Sequence, residues 1–181
     1  MKIMEITRLN HSCFRIKGKK AIILIEPDKE IKNLTSQIVL FSKPTDQELK
    51  LKGEPVIIYG PGEYEIKQVR ILGMRENKTM IYKIKMDGLA LLSLNRLPKK
   101  ISEEKIELLN QPEILFLPIS QPKEAVALIA QLEPLIVIPI EEKGIEDFLK
   151  EEETEGERLS KLVVTKEELP EERKIIILKK T

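Results

Sequence analysis

Histidine is almost missing from this chain: there is one in 181 residues, at position 11. Cysteine also occurs once, at Cys13, tryptophan is absent, and aromatic residues make up 4%. Each shortage excludes something. One thiol cannot form an internal disulfide, which suits a reducing compartment. One imidazole and one thiol cannot build a dinuclear zinc site, which takes several nitrogen or sulfur donors. Few aromatics leave little to stack on unpaired bases, and "KLKGEP" and "LPKK" are only mildly basic. An excess of one charge is lacking too. Lys and Arg number 31 against 30 Asp and Glu, a net charge of +1, so no global field draws the chain to nucleic acid or an anionic membrane. No apolar run is long enough to span a bilayer, and the opening "MKIMEITRLNHSCF" has no apolar leader. The expectation is a cytoplasmic protein without membrane or nucleic-acid association. Its partner is unknown, and self-association stays open.

What is present is ordinary for a folded domain. Apolar residues make up 41% and charged residues 34%, of mixed sign along the chain, which reads as a solvated surface around a core. The length suits one domain over residues 1–181. Abundant Ile, Leu, Lys and Glu fit a thermophile or an AT-rich genome equally well.

The first half reads as strands. "KIMEITRL", "CFRIK" and "AIILIE" come first, the last two joined by a turn at Gly18-Lys19-Lys20. "QIVLF" and "PVIIYG" are continuous apolar runs, as in strands covered on both faces. "VRILGM" and "MIYKIKM" follow, and Asp87-Gly88 joins the latter to "LALLSL", a strong hairpin signal. The second half alternates. "SEEKIELLN" predicts a helix capped by Ser102, with Glu103 and Glu104 in its first turn. "KEAVALIAQLE" places Ala125, Leu128, Ile129 and Leu132 on one face of a helix. "GIEDFLKEEE" predicts a third helix, with Ile145, Phe148 and Leu149 inward. "EILFLPI", "LIVIPI", "KLVVT" and "KIIILK" are strands. The acidic tract through Glu157 reads as a solvated loop, and Thr165 with Glu168 as a capping box. The pattern implies an α/β protein of two packed sheets with helices outside.

Four stretches, in this order, resemble the metallo-β-lactamase superfamily, in particular its small ascorbate-phosphate-lactonase-like members. They are "LNHSCFRIKGKKAIILIEP", "YGPGEYEIKQVRILGM", "IYKIKMDGLALLSL" and "EILFLPI…KEAVALIAQLEPLIVIPI". The resemblance implies a four-layer αββα sandwich with the active site at the sheet edges. It also implies where zinc ligands would stand, and the residues there differ. The family's first His-x-His-x-Asp-His cluster falls on "KPTDQE", with Lys43 and Thr45 at the first two histidines, Gln47 at the aspartate and Glu48 at the last histidine. "SLNR" puts Arg96 at the bridging aspartate, and "IPIE" puts Glu141 at a further histidine. The family's zinc is thus expected to be lost and no cofactor to replace it. The family glycines before "HSCF" and within "HLGD" become Asn10 and Asn95, residues that tolerate left-handed backbone. Scaffold kept and ligands discarded implies a non-catalytic homologue that binds or assembles. The alternative is a hydrolase with a residual Mg²⁺ or Mn²⁺ site.

Two fates for the old site stay open. Lys43 and Arg96 form a salt-bridged cluster with Glu48 and Glu141, side-chain cations standing in for zinc, or these positions have drifted to unrelated surface. Other candidates are weaker. His11 and Cys13 share a face on a regular strand, but without a base or activating charge a structural histidine beside a buried thiol is the plainer reading. "GPGEYE" lacks the lysine and spacing of a phosphate-binding loop and reads as a tight turn. Glu26, Asp28, Glu48, Glu63 and Glu65 could supply an all-oxygen cation site, although acidic residues are common enough for this to arise by chance.

Overall fold

Apolar alternation and continuous apolar runs become sixteen strands and three α-helices in the computed structural model, which describes residues 2–109 and 111–181. The strands of the first half are β1 (Met4–Arg8), β2 (Phe14–Lys17), β3 (Ile22–Ile25), β4 (Lys32–Thr35), β5 (Ile38–Leu40), β6 (Lys50–Lys52), β7 (Val56–Ile58), β8 (Gly62–Ile66), β9 (Val69–Glu76), β10 (Thr79–Met86) and β11 (Leu89–Leu94). Then come α1 (Glu103–Leu109), β12 (Ile114–Leu117), α2 (Pro122–Leu132), β13 (Ile136–Pro139), α3 (Ile145–Glu151), β14 (Glu157–Leu159), β15 (Lys161–Val164) and β16 (Lys174–Leu178). Asn110, at the end of the first predicted helix, lies outside the described residues.

Two sheets hold most of the strands. One has six in the order β15-β1-β2-β3-β5-β7, the other eight in the order β14-β16-β13-β12-β11-β10-β9-β8. Their inner faces share one core, with Ile6, Ile16, Ile23 and Leu40 from the first sheet against Ile71, Ile84, Leu91 and Ile138 from the second. Phe14 meets Phe116 across this interface edge to face, ring centroids 5.1 Å apart. Outside the second sheet, Leu109 of α1, Leu128 and Leu132 of α2 and Phe148 of α3 pack against Leu92, Leu115 and Val137. Outside the first, Leu24, Val39 and Phe41 are covered by Ile31, Leu49 and Leu51, which flank or belong to the small β4–β6 ribbon. The layered α/β sandwich is as expected, with that ribbon and its loops serving as the outer layer on the first sheet.

Local chemistry accounts for the joints. Asp87 and Gly88 both have positive φ, 54° and 88°, which a two-residue hairpin needs to match the twist of its strands. The four residues predicted for the inner face of α2 are all buried. The helix stops at left-handed Glu133, before Pro134. Gly73 is required by close approach, since a Cβ there would lie 2.7 Å from the Gly60 carbonyl oxygen.

Three readings are corrected. The acidic tract through Glu157 is turn and coil over residues 152–156, as expected, but its last residue opens a strand, β14, which pairs in parallel with β16. "GPGEYE" is more than a turn: its second half is β8, the edge of the larger sheet. Thr165 and Glu168 do not form a capping box. They bond side chain to side chain at 3.0 Å, and the short 3-10 turn has no side-chain cap.

Candidate functional site

β3, β5 and β7 run parallel in one sheet, and β11, β12, β13 and β16 in the other. The carboxyl ends of parallel strands collect loops at one edge, and ligand crevices form there. At this edge the two sheets leave a small cleft of about 200 Å³. Ser12 and Phe14 line it from the start of β2, Glu26 from the end of β3 and Ser42 from the end of β5. The second sheet contributes Ser93 and Asn95 from the end of β11 and Ile140 from the end of β13.

Backbone and side-chain bonds hold the walls. The Glu26 amide donates to the Leu40 carbonyl at 2.9 Å, and the Ser42 amide donates to a Glu26 carboxylate oxygen at 2.6 Å. The Tyr82 hydroxyl, on β10, donates to the Phe41 carbonyl at 2.7 Å and so ties the second sheet to the end of β5. Arg8, at the end of β1, is an arginine that is 3% exposed. Its guanidinium donates to the His11 carbonyl at 2.6 and 2.9 Å and to the Ile140 carbonyl at 3.4 Å, and it pairs with Glu142 at 3.3 Å. Arg8 therefore joins the end of β1 to the end of β13.

Glu26 is the unusual residue. Its φ is 48°, in the left-handed region that side chains rarely adopt, and such strain persists only where the surroundings enforce it. Burial pushes its carboxyl above the usual glutamate range, opposed by the Ser42 hydrogen bonds and the Lys43 charge. The folded state then holds this proton more tightly than the unfolded chain. The corresponding stability is full below the ordinary glutamate pKa and is lost as pH rises through the raised value. Glu26→Gln keeps an acceptor for Ser42 and cannot ionise. Relative to wild type it should gain stability between about pH 4 and about pH 8, as read by urea unfolding at both. A wild-type-minus-variant difference that does not change with pH would refute this.

The positions singled out in the sequence are distributed otherwise than expected. Lys43, Thr45, Gln47 and Glu48 lie in the irregular segment between β5 and β6, all exposed except half-buried Thr45. Arg96 is exposed beyond β11. Glu141 is half-buried, and one carboxylate oxygen accepts the amides of Ile119 and Ser120 at 2.7 and 2.9 Å. The salt-bridged cluster does not form. Among the described residues no ion pair links Lys43, Glu48, Arg96 and Glu141. Exposed side chains gain little from pairing and keep their hydration instead.

The other candidates separate as well. His11 is exposed and Cys13 buried, because the chain bends there rather than continuing as a strand; the histidine is therefore not the buried structural one expected. Burial and the Asp28 and Glu26 charges push the Cys13 thiol up to about 12, so it stays protonated and is a poor nucleophile. Glu63 and Glu65 line a different, open groove with Arg70, Lys83 and Lys85, away from Glu26. Asp28 accepts from Asn10 and from the Glu30 amide. Among the described residues no three of His, Cys, Asp and Glu are grouped to hold a metal ion. Asn10 and Asn95 do not adopt positive φ. Asn10 instead uses its side-chain amide on Asp28, and Asn95 lines the cleft. The sequence reading overlooked Arg8 and the three serines. Arg8 had a signal, since Met4, Ile6 and Arg8 alternate onto one face of β1; the serines had none.

The model of a β-lactamase superfamily domain matches residues 5–141. A solved protein of the metallo-β-lactamase superfamily from Thermotoga maritima, provisionally described as a Zn-dependent hydrolase, is 26% identical. It superposes with a TM-score of 0.86 over 97% of this chain and 98% of its own. Igni18, a metallo hydrolase from the archaeon Ignicoccus hospitalis, is 14% identical with a TM-score of 0.60, covering 90% of this chain and 98% of its own. The metallo-β-lactamase fold protein YhfI from Bacillus subtilis is 8% identical with a TM-score of 0.56, covering 84% and 92%. The last two share the fold alone. Comparison with curated protein sequences gives no significant match. Sheet order, a cleft at the strand ends and a family match over most of the chain lead to one assignment: the chain belongs to the metallo-β-lactamase superfamily, in its β-lactamase superfamily domain family.

Proposed function

We propose that this protein is a metal-free, non-catalytic member of its superfamily that binds a small ligand in the cleft, acting as one cytoplasmic domain over residues 1–181. The supporting observation is the fate of the carboxylate nearest the cleft among the former ligand positions. One Glu141 carboxylate oxygen is taken by two backbone amides, which leaves a single oxygen to offer a metal. Of the other positions, Lys43 and Arg96 are cations, Thr45 and Gln47 weak neutral donors, and only Glu48, exposed on the loop after β5, adds a carboxylate. The donor set does not fit the family's metal. Among the described residues no helix is long and apolar enough to cross a membrane, and the single buried thiol is at ease in a reducing compartment.

Metal analysis of protein purified without chelator tests this. The expected result is substoichiometric zinc, manganese and magnesium. A second reading, a hydrolase holding Mg²⁺ or Mn²⁺ through residual carboxylates, is favoured by Glu26 facing the cleft and by the description of the Thermotoga protein. It predicts one metal per chain, lost in Glu26→Gln. That result would overturn the metal-free reading.

A further inference from the structure

Glu26 is the only charged residue lining the cleft at the strand ends. Among the described residues it joins no ion pair, and its hydrogen bonds come from Ser42 alone. Lys43 acts on it as a charge, but that residue is exposed and does not line the cleft. A carboxylate withdrawn from water without a partner of opposite charge is unfavourable. The backbone is unfavourable too, since Glu26 sits at φ 48°. Two such features at one cleft residue mark a site built for binding rather than for packing. The other polar groups of the wall are the hydroxyls of Ser12, Ser42 and Ser93 and the Asn95 amide, each able to accept a hydrogen bond through oxygen.

We infer that the cleft binds a small primary amine as its ammonium ion, with Glu26 as the opposite charge, the serine hydroxyls and the Asn95 side-chain carbonyl accepting its N–H groups, and the apolar wall of Phe14 and Ile140 covering the attached carbons. This rests on the metal-free, small-ligand reading above and names the ligand's class. An ammonium group has three donors and no acceptor, which matches acceptors arranged around one negative charge. The volume sets the size: about 200 Å³ is below the range for drug-sized ligands and admits an ammonium with a few attached atoms. Burial works against the ionised form of Glu26, and an ammonium beside it reverses that by supplying the missing charge through a charge-assisted hydrogen bond.

Calorimetric titration with ethylammonium chloride tests the inference, on protein purified without chelator and assayed for metal. It is run at about pH 8, where a primary amine stays protonated, with potassium chloride holding the ionic strength constant. Saturable binding is expected. Tetramethylammonium, which carries the charge but no N–H, should not compete. Glu26→Gln, which is expected to lose no stability, should weaken binding at least about tenfold. Asn95→Leu, at an exposed position where folding is not at stake, should weaken it about fivefold. Glu172→Gln removes a charge just before β16, at the sheet edge opposite the cleft because β16 runs parallel to β13, and should leave binding unchanged. Equal competition by tetramethylammonium, equal weakening by Glu172→Gln, or undiminished binding in Glu26→Gln would reduce the effect to adventitious charge and overturn the inference. Failure of ethylammonium to bind, with no metal bound either, overturns the inference and leaves the metal-free reading standing. One metal per chain that blocks ethylammonium and is lost in Glu26→Gln overturns both.

Discussion

Phe14→Ala should lower the free energy of unfolding by about 3–5 kcal/mol, the range for deleting a buried aromatic side chain. Phe14 is 1% exposed and Phe116 is fully buried. The two rings meet edge to face across the sheets, a geometry that adds to simple burial. Truncation removes apolar area from the shared core and leaves a void between two rigid sheets that cannot close onto it. Phe14 also forms a wall of the cleft, so the same change widens it. Phe14→Leu, which retains most of the volume, should cost less than half as much. Urea unfolding with an unchanged m-value and a lowered midpoint is the expected record. A loss under about 1 kcal/mol for Phe14→Ala would mean that the sheets do relax, and that the contact across them contributes little.

Arg8→Met should be next in effect, costing about 2–4 kcal/mol. The pair with Glu142 is not the main cause. That glutamate's side chain is 68% exposed, and exposed partners stabilise little. The cost comes from the buried Asn10 and Ile140 carbonyls and the part-buried His11 carbonyl, which lose the guanidinium that donates to them. Each buried acceptor left without a partner costs its own desolvation. Arg8→Lys keeps the charge and loses the planar fork, so it should fall between wild type and Arg8→Met. Since Arg8 joins the ends of β1 and β13, Arg8→Met should also raise amide hydrogen exchange at Asn10–Ser12 and Ile140 before global unfolding. Exchange elevated uniformly over the whole chain would contradict that local role.

Much of the architecture was legible because it rests on local chemistry. The Asp87-Gly88 turn, the buried face of α2 and the doubly covered run at Ile38–Leu40 each follow from a few neighbouring residues. β8 and β14 were harder. "GEYEI" and "ERL" carry little apolar pattern because both strands sit at sheet edges with largely exposed side chains. Their strand character comes from the backbone of a neighbouring strand, which is distant in sequence for β14 and β16. The exchange of glycine for Asn10 and Asn95 pointed to left-handed backbone, yet neither adopts it, while Glu26 is among the non-glycine residues that do. A non-glycine residue is held in that conformation only by contacts, here to Leu40 and Ser42, and no local pattern announces it.

The residue inventory alone determined that one histidine and one cysteine fall short of the nitrogen and sulfur donors a dinuclear zinc site takes, because ligand count is a property of composition. Only the tertiary structure decided how the residues at the ligand positions marked by the resemblance are arranged. Four charged residues at the positions marked by the resemblance, Lys43, Glu48, Arg96 and Glu141, were compatible with a paired cluster or with dispersal. The loop between β5 and β6 and the turn after β11 leave Lys43, Glu48 and Arg96 in water, while Glu141 turns to the amides of Ile119 and Ser120. Hydration and backbone donors competed with ion pairing for those charges, and the balance among them depends on distances between segments far apart in the chain.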